Sequence, residues 1–231
     1  MIAPLFEFDE NEKNQKAGLL GINLESFDYI QGCDEAGRGP AAGGVWAACV
    51  SFFEGVDISL FEKLNDSKKL SPKTREFLFN LIKENSYFSI KEIDVEKIEE
   101  INILNASLLA MKCAAHDVIN QIQNKKGNAK IITLVDGNKL IKDFKNEQKY
   151  IIKGDSKSAS IAAASILAKV SRDLYMDKIS KEYPMYDWQN NKGYLTKKHI
   201  EAIKKYGISK YHRKSFLKNI IKGPQISLKA K

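Results

Sequence analysis

Asp34 and Glu35 stand side by side at the end of a short apolar run, directly before Ala36-Gly37-Arg38-Gly39-Pro40. Adjacent ionised carboxylates repel, so a fold gains no stability by gathering them, whereas a divalent cation makes the same cluster favourable. The glycine-flanked Arg38 can approach an anionic substrate closely. The same design, an apolar strand ending in an acid with a glycine beside it, recurs at Asp136-Gly137 and Gly154-Asp155. If the three strands are neighbours, Asp34, Glu35, Asp136 and Asp155 converge on one edge of a sheet. Their oxygen-only donor set suits two magnesium or manganese ions. Two such ions, roughly 3.5–4 Å apart, activate an attacking water and stabilise the leaving oxygen of an in-line phosphoryl displacement. No general-base histidine is then required, and none of the three histidines stands beside the acids. Taken singly, a strand-end aspartate is more often a turn or cap residue; Asp155, just ahead of a serine-rich helix start, could help begin that helix.

These acids need strands to deliver them. Residues 29–33 and 45–53 are rich in β-branched, aromatic and small apolar side chains and flank the glycine-rich turn, which predicts paired strands. Ser71-Pro72 predicts a helix start, with Phe77, Leu78, Leu81 and Ile82 as its apolar stripe. Residues 87–93 alternate as a strand. A period of three to four from Ile101 to Ile122 predicts one long amphipathic helix ending at Gly127-Asn128. Residues 130–135 and 150–153 read as strands, 161–176 as an alanine-rich helix, 196–205 as a helix ending near Gly207, and 215–222 as a last basic helix. Strands first, then helices alternating with strands, imply a mixed sheet with helices packed against it.

The 231 residues fit one large domain, with an appendage at most, and a hydrophobic content of 43% supports a sizeable core. No window of about 18 apolar residues is present, which excludes a membrane span. The N-terminus lacks a secretory pattern, and its polar, acidic stretch is expected to be a flexible lead-in over residues 1–27. Three cysteines without a Cys-x-x-Cys pair argue against a disulfide framework or a zinc site and fit core positions in a cytoplasmic protein. The net charge of +8 is uneven: residues 190–231 carry twelve Lys and Arg against one acid, Glu201, a net of +11, which leaves −3 for residues 1–189. A polyanion partner would exploit that segment through counterion release, and a solvated lysine-rich helix face would look the same in composition.

The segment Gly32-Cys33-Asp34-Glu35-Ala36-Gly37-Arg38-Gly39-Pro40-Ala41-Ala42-Gly43 resembles the signature of ribonuclease HII, a type 2 ribonuclease H. Further matches follow in order: Asn65-Asp66-Ser67-Lys68-Lys69-Leu70-Ser71, Val135-Asp136-Gly137-Asn138, Lys153-Gly154-Asp155-Ser156-Lys157, the alanine-rich segment through Lys169-Val170 with Arg172-Asp173, Gly193-Tyr194-Leu195-Thr196, and His212-Arg213-Lys214-Ser215-Phe216. The resemblance spans residues 29–217. It implies an α/β fold with a ribonuclease H-like mixed sheet flanked by helices over 28–189, and a small basic C-terminal helical segment over 190–231. It implies an endoribonuclease that hydrolyses the RNA strand of RNA–DNA hybrids, nicks duplex DNA 5′ of embedded ribonucleotides to leave 3′-hydroxyl and 5′-phosphate ends, and so supports ribonucleotide removal from DNA. By motif, Asp34, Glu35, Asp136 and Asp155 become the metal-binding catalytic acids, with magnesium or manganese as cofactor. Gly37, Arg38 and Gly39 form the turn that recognises the ribose 2′-hydroxyl, the group separating RNA from DNA. Tyr194 matches the family tyrosine that packs on the sugar at the RNA-to-DNA junction, and Lys68 and Lys69 resemble the family's substrate-side lysines, from which phosphate contacts are expected. The His212-Arg213-Lys214 run is expected to add nonspecific duplex affinity, and a monomer is expected.

The sequence departs from the family pattern at Gly44, where a proline is more usual, at Trp46, bulkier than the usual aliphatic, and at Leu195, where glycine or proline is usual. Two rivals remain. Ribonuclease HIII shares the chemistry but has a glutamate as fourth acid and an added N-terminal domain, for which about 28 residues ahead of the first strand are too few. A nonenzymatic nucleic-acid-binding module would rest on the basic segment alone and leave the strand-end acids without a task.

Overall fold

The computed structural model describes residues 4–14 and 26–221. Five strands form one mixed sheet: β1 (Tyr29–Ala36), β2 (Val45–Phe52), β3 (Ser86–Ile93), β4 (Ile131–Asp136) and β5 (Gln148–Ile151), in the spatial order β3-β2-β1-β4-β5. β1, β2 and β3 pair antiparallel, while β4 and β5 join parallel to β1. The parallel half aligns the C-terminal ends of β1, β4 and β5 at one edge, the usual place for a ligand in such sheets.

The helices, in chain order, are α1 (Pro4–Lys13), α2 (Pro72–Glu84), α3 (Val95–Ile101), α4 (Ile103–Lys126), α5 (Ala159–Glu182), α6 (Trp188–Asn191), α7 (Lys197–Tyr206) and α8 (Lys218–Ile221). One face of the sheet is covered by α4, whose Ala110, Met111, Ala114 and Val118 pack with Cys33, Cys49 and Tyr87. The other face is covered by α2 and α5, whose Leu78, Ile82, Ala163 and Leu167 pack with Ala48 and Val50. In the expected stripe of α2, Leu78 and Ile82 are buried but Phe77 faces solvent. The long helix foreseen from Ile101 is broken at Asn102, which adopts φ 65° and caps α4 through the Asn105 N–H.

The flexible lead-in is corrected over its first part. Pro4–Lys13 is helical, and Phe6 packs against Phe52 and Phe61 at ring separations of 5.0 and 5.9 Å. Asp9 accepts the backbone N–H of Ser160 at 2.8 Å in the first turn of α5, where a carboxylate meets the positive end of the helix dipole. Burial nevertheless pushes its carboxyl up to about 6. Residues 15–25 of the lead-in, and the end of the basic segment from 222, lie outside the described residues. Among the described residues no helix is long and apolar enough to cross a membrane.

α5 is alanine-rich because it lies directly on β1. A Cβ added to Gly32 would sit 2.3 Å from the backbone nitrogen of Ile161 and 2.4 Å from the carbonyl carbon of Ser160. Only separation of the strand from the helix could accommodate it. Gly32→Ala is therefore expected to destabilise by about 3 kcal/mol, the upper part of the overpacking range, lowering Tm by ~6–12 °C in thermal melts.

Candidate active site

Asp34 shares the face of β1 that carries Gly32, by strand alternation, and so looks toward α5. There the Ser165 hydroxyl donates to its carboxylate, and the backbone N–H of Glu35 donates to Oδ1 at 2.7 Å. Val135 pairs with Cys33 across the parallel ladder, which puts Asp136 at the next step, beside Asp34. Asp136 in turn accepts the backbone N–H of Gly154 at 2.7 Å, drawing the turn after β5 and its Asp155 to the same edge. The alternative role for Asp155 as a helix cap is not what the chain uses: Ser158 caps α5 through the Ile161 N–H, and Asp155 lies in a separate 3-10 turn, Gly154–Ser156.

The electrostatics show how tightly the acids are gathered. Burial, then Glu35 and Asp136, hold the Asp34 carboxyl well above the usual range. Burial raises Glu35 as well, with Arg38 opposing at 3.2 Å and Asp136 adding. Burial, then Asp66 and Asp136, raise Asp155, while Lys68 at 3.6 Å opposes. Burial lowers the Lys68 ammonium, but Asp155, Asp34, Asp66 and Asp136 outweigh it and raise it. Asp34, Glu35 and Asp155 all resist ionisation in this cluster, a cost that a divalent cation would relieve, and the oxygen-only donor set fits a hard ion. Among the described residues no group of three or more His, Cys, Asp or Glu side chains has the spacing of a formed metal cluster. Arg38, Lys68, Ser165 and the Gly154 amide hold the four carboxylates in their present positions.

Beside the acids lies a groove of ≈ 470 Å³ whose lining includes Gly37, Arg38, Gly39, Lys68, Lys169 and Tyr194. The structure thus brings the expected sugar-sensing turn, one phosphate lysine and the tyrosine to one wall. A Cβ on Gly39 would stand 3.3 Å from Cε1 of Tyr194, so the half-exposed ring abuts the turn directly. Lys69 is exposed in the same 3-10 turn as Lys68, Ser67–Lys69. Lys169 is engaged by Asp173 at 2.7 Å. Of the departures, Leu195 is exposed beside Tyr194 and Trp46 packs on Tyr175 with ring centroids 5.6 Å apart, while Gly44 ends the glycine-rich turn itself, its carbonyl accepting from Arg172 and Arg213.

The expectation for His212-Arg213-Lys214 needs correction. His212 and Arg213 are buried, so neither can meet a duplex; of the three only Lys214 is exposed. The chain from Tyr186 onward folds back as an integral wall, with Tyr186, Trp188, Ile203 and Leu217 packed on Met176 of α5 and on Ala41 and Ala42. Several site residues were also missed. Ser165 links Asp34 to Ser67 through a 2.9 Å hydroxyl contact, and Arg75 donates to the carbonyls of Ser67 and Leu70, fixing the loop of Lys68. The available signal was a serine in the middle of the alanine-rich stretch of α5, and an arginine one turn into α2.

A model of the ribonuclease HII family matches residues 31–219. The ribonuclease HII of Caldicellulosiruptor bescii is 50% identical over 92% of this chain and 97% of its own, and that of Pelagibacter ubique is 49% identical over 81% and 95%. Among solved structures, the ribonuclease HII of Archaeoglobus fulgidus in complex with PCNA superposes with a TM-score of 0.65 at 23% identity, covering 87% of this chain and 98% of that one. The Bst-RNase HIII structure in complex with Mn²⁺ superposes with a TM-score of 0.63 at 16% identity, covering 83% and 70%. These last two likenesses show the shared fold. With the family model over most of the chain and relatives at half identity over nearly their whole length, the chain belongs to the ribonuclease HII family and is an endoribonuclease acting on RNA–DNA hybrids.

Proposed function

We propose that the four acids Asp34, Glu35, Asp136 and Asp155 hold two divalent ions, magnesium or manganese, and that the chain nicks duplex DNA 5′ of an embedded ribonucleotide as well as cutting hybrids. The observation that carries this reading is the delivery of Asp34, Asp136 and Asp155 to one sheet edge by the aligned ends of β1, β4 and β5. The Mn²⁺ complex of the related Bst-RNase HIII supports the ion class. When bound, such ions activate water and stabilise the departing 3′ oxygen. The chain's own residues orient and select. Gly37, Arg38 and Gly39 bring backbone groups to the ribose, and Tyr194 offers its ring to the sugar. Lys68 and Lys69 bring positive charge to the flanking phosphates. Attack on phosphorus from the face opposite the 3′ oxygen leaves a 3′-hydroxyl and a 5′-phosphate.

The acting unit is read as a monomer, and three free cysteines fit the reducing cytoplasm. The test is incubation with duplex DNA carrying one ribonucleotide, with and without Mg²⁺ or Mn²⁺, alongside Asp34→Asn and Asp136→Asn. A metal-dependent nick, lost in both variants, is expected; no such nick from the unmodified chain would sink the proposal. Tyr194→Ala is expected to slow cleavage at the lone ribonucleotide by about tenfold, the worth of one ring contact of ~1–2 kcal/mol, with its melting temperature preserved because the ring is half exposed.

A further inference from the structure

Two arginines to which the proposed function gives no role lie buried in the sensing wall, and Arg172 also borders the groove. Arg172 of α5 is 2% exposed and Arg213, after α7, is fully buried. Arg172 donates to the carbonyls of Ala42 and Lys192 at 3.0 Å and of Gly44 at 3.4 Å. Arg213 donates to the carbonyls of Gly43 at 2.8 Å, Gly44 at 3.0 Å and Arg38 at 3.2 Å. All six bonds go to backbone, and five of them go to the turn 38–44. The sixth, from Arg172 to Lys192, reaches the strand of chain that presents Tyr194. Burial lowers both guanidiniums, and Arg172 adds to the effect on Arg213, bringing it to about 9. Two buried like charges whose hydrogen bonds all go to backbone carbonyls, with Asp173, Glu92 and Glu99 acting only through space and the Phe216 ring 5.3 Å from the Arg213 guanidinium, are a poor device for stability, because desolvation offsets much of what the hydrogen bonds contribute. They are a good device for fixing one loop shape, since a guanidinium fork holds several carbonyls at set angles.

The histidines complete the frame. Trp188 Nε1–H and Ser209 N–H can only donate, so His199 Nε2 and His212 Nδ1 are acceptors, at 3.0 and 2.9 Å. His212 therefore carries its proton on Nε2, facing His199 Nε2 at 3.1 Å, and His199 carries its own on Nδ1, donated to the Tyr194 carbonyl at 2.9 Å. Burial disfavours the charged form of both rings. The backbone of Tyr194 is thus held from one side by His199 and, two residues earlier, by Arg172.

We propose that Arg172 and Arg213 are positioning residues for ribose recognition: they lock the Gly37-Arg38-Gly39 turn to the Tyr194 segment as one rigid wall. The inference rests on the reading of that turn and Tyr194 as the sugar-sensing elements. The C-terminal segment accordingly acts on substrate choice through its buried residues, not only through surface charge.

The test uses the full chain and the conservative variants Arg172→Lys and Arg213→Lys, which keep a positive charge but cannot bridge three carbonyls. On duplex DNA with one ribonucleotide, each is expected to lose about 10- to 100-fold in kcat/KM, the scale of an ångström misplacement. The loss should fall in kcat, with the Kd for an all-DNA duplex unchanged. Each substitution is then repeated in a Tyr194→Ala background, where its further loss should shrink to a few-fold because the wall is already broken. A kcat/KM equal to that of the unmodified chain for both lysine variants, or the same fold-loss in both backgrounds, would overturn the inference. An unchanged rate for Tyr194→Ala alone would overturn the reading beneath it, and this inference with it.

Discussion

Asp34→Asn is expected to abolish cleavage and, at the same time, to make the metal-free protein more stable. The first half follows from geometry. Asp34 is the acid at the centre of the gathering, next to Glu35 in the chain and to Asp136 across the ladder. Loss of a group that merely orients a metal ligand costs 10–100-fold, so loss of the ligand itself should cost at least about 100-fold in kcat/KM. The second half follows from charge. The folded-state pKa of Asp34 is raised by burial, Glu35 and Asp136. A carboxyl with a raised folded pKa contributes stability below its unfolded value and withdraws it as pH rises through the folded one. At neutral pH without divalent ions the ionised carboxylate is therefore a burden. Asparagine keeps an oxygen for the Ser165 hydroxyl and the Glu35 N–H but carries no charge. Relief of about 1 kcal/mol corresponds to ~2–4 °C in Tm for a chain of this size. In EDTA the gap between variant and unmodified chain should widen from acid to neutral pH; added Mg²⁺ or Mn²⁺ should narrow it by stabilising only the chain that binds. A variant that melts below the unmodified chain in EDTA at pH 7–8 would show that the acids are not under mutual repulsion.

The acids were legible because their signal is local. They stand at or just after the ends of short strands with a glycine close by in the chain, and parallel pairing of β1, β4 and β5 does the rest. The turn and Tyr194 were legible by motif, and the structure puts them in contact at Gly39. What stayed hidden is long-range. Ser165 and Arg172 sit on α5 among residues that read as plain helix packing, and only the approach of β1 reveals what they face. Arg213 looked like part of a basic run, since composition counts charge without knowing depth.

The fold shows the same division. Periodicity located α4 but not its start, because Asn102 turns the chain with a positive φ that no hydrophobic pattern encodes. α1 reads as a polar lead-in because half of its docking is polar: Asp9 meets the start of α5 and Glu12 meets Lys149 at 2.7 Å. Buried carboxylates with distant partners invert the usual pattern of apolar-inside. A sequence window cannot distinguish them from solvated ones.

Gly37→Ala is expected to be the most damaging change outside the acids, and its damage should be catalytic more than global. Gly37 has φ +100°, a region that a side chain makes strained, at a cost of roughly 1–2 kcal/mol. A Cβ there would lie 2.2 Å from Nε and 2.6 Å from Cδ of Arg172. Arg172 cannot simply swing away, because its other nitrogens hold Ala42 and Lys192. The turn must therefore lift or Arg172 must release its carbonyls, and either movement separates Gly39 from Tyr194. A shift of about an ångström in groups that orient the sugar is worth ~100-fold in kcat/KM. The core clusters against α4 and α2 do not include this turn, so the melting temperature should fall far less than for Gly32→Ala, whose clash is with helix backbone in the centre of the sheet. Steady-state kinetics on a one-ribonucleotide duplex, paired with thermal melts of both glycine variants, separates the two effects. Gly37→Ala with near-normal turnover would mean that the turn tolerates displacement, and that ribose recognition does not depend on its exact shape.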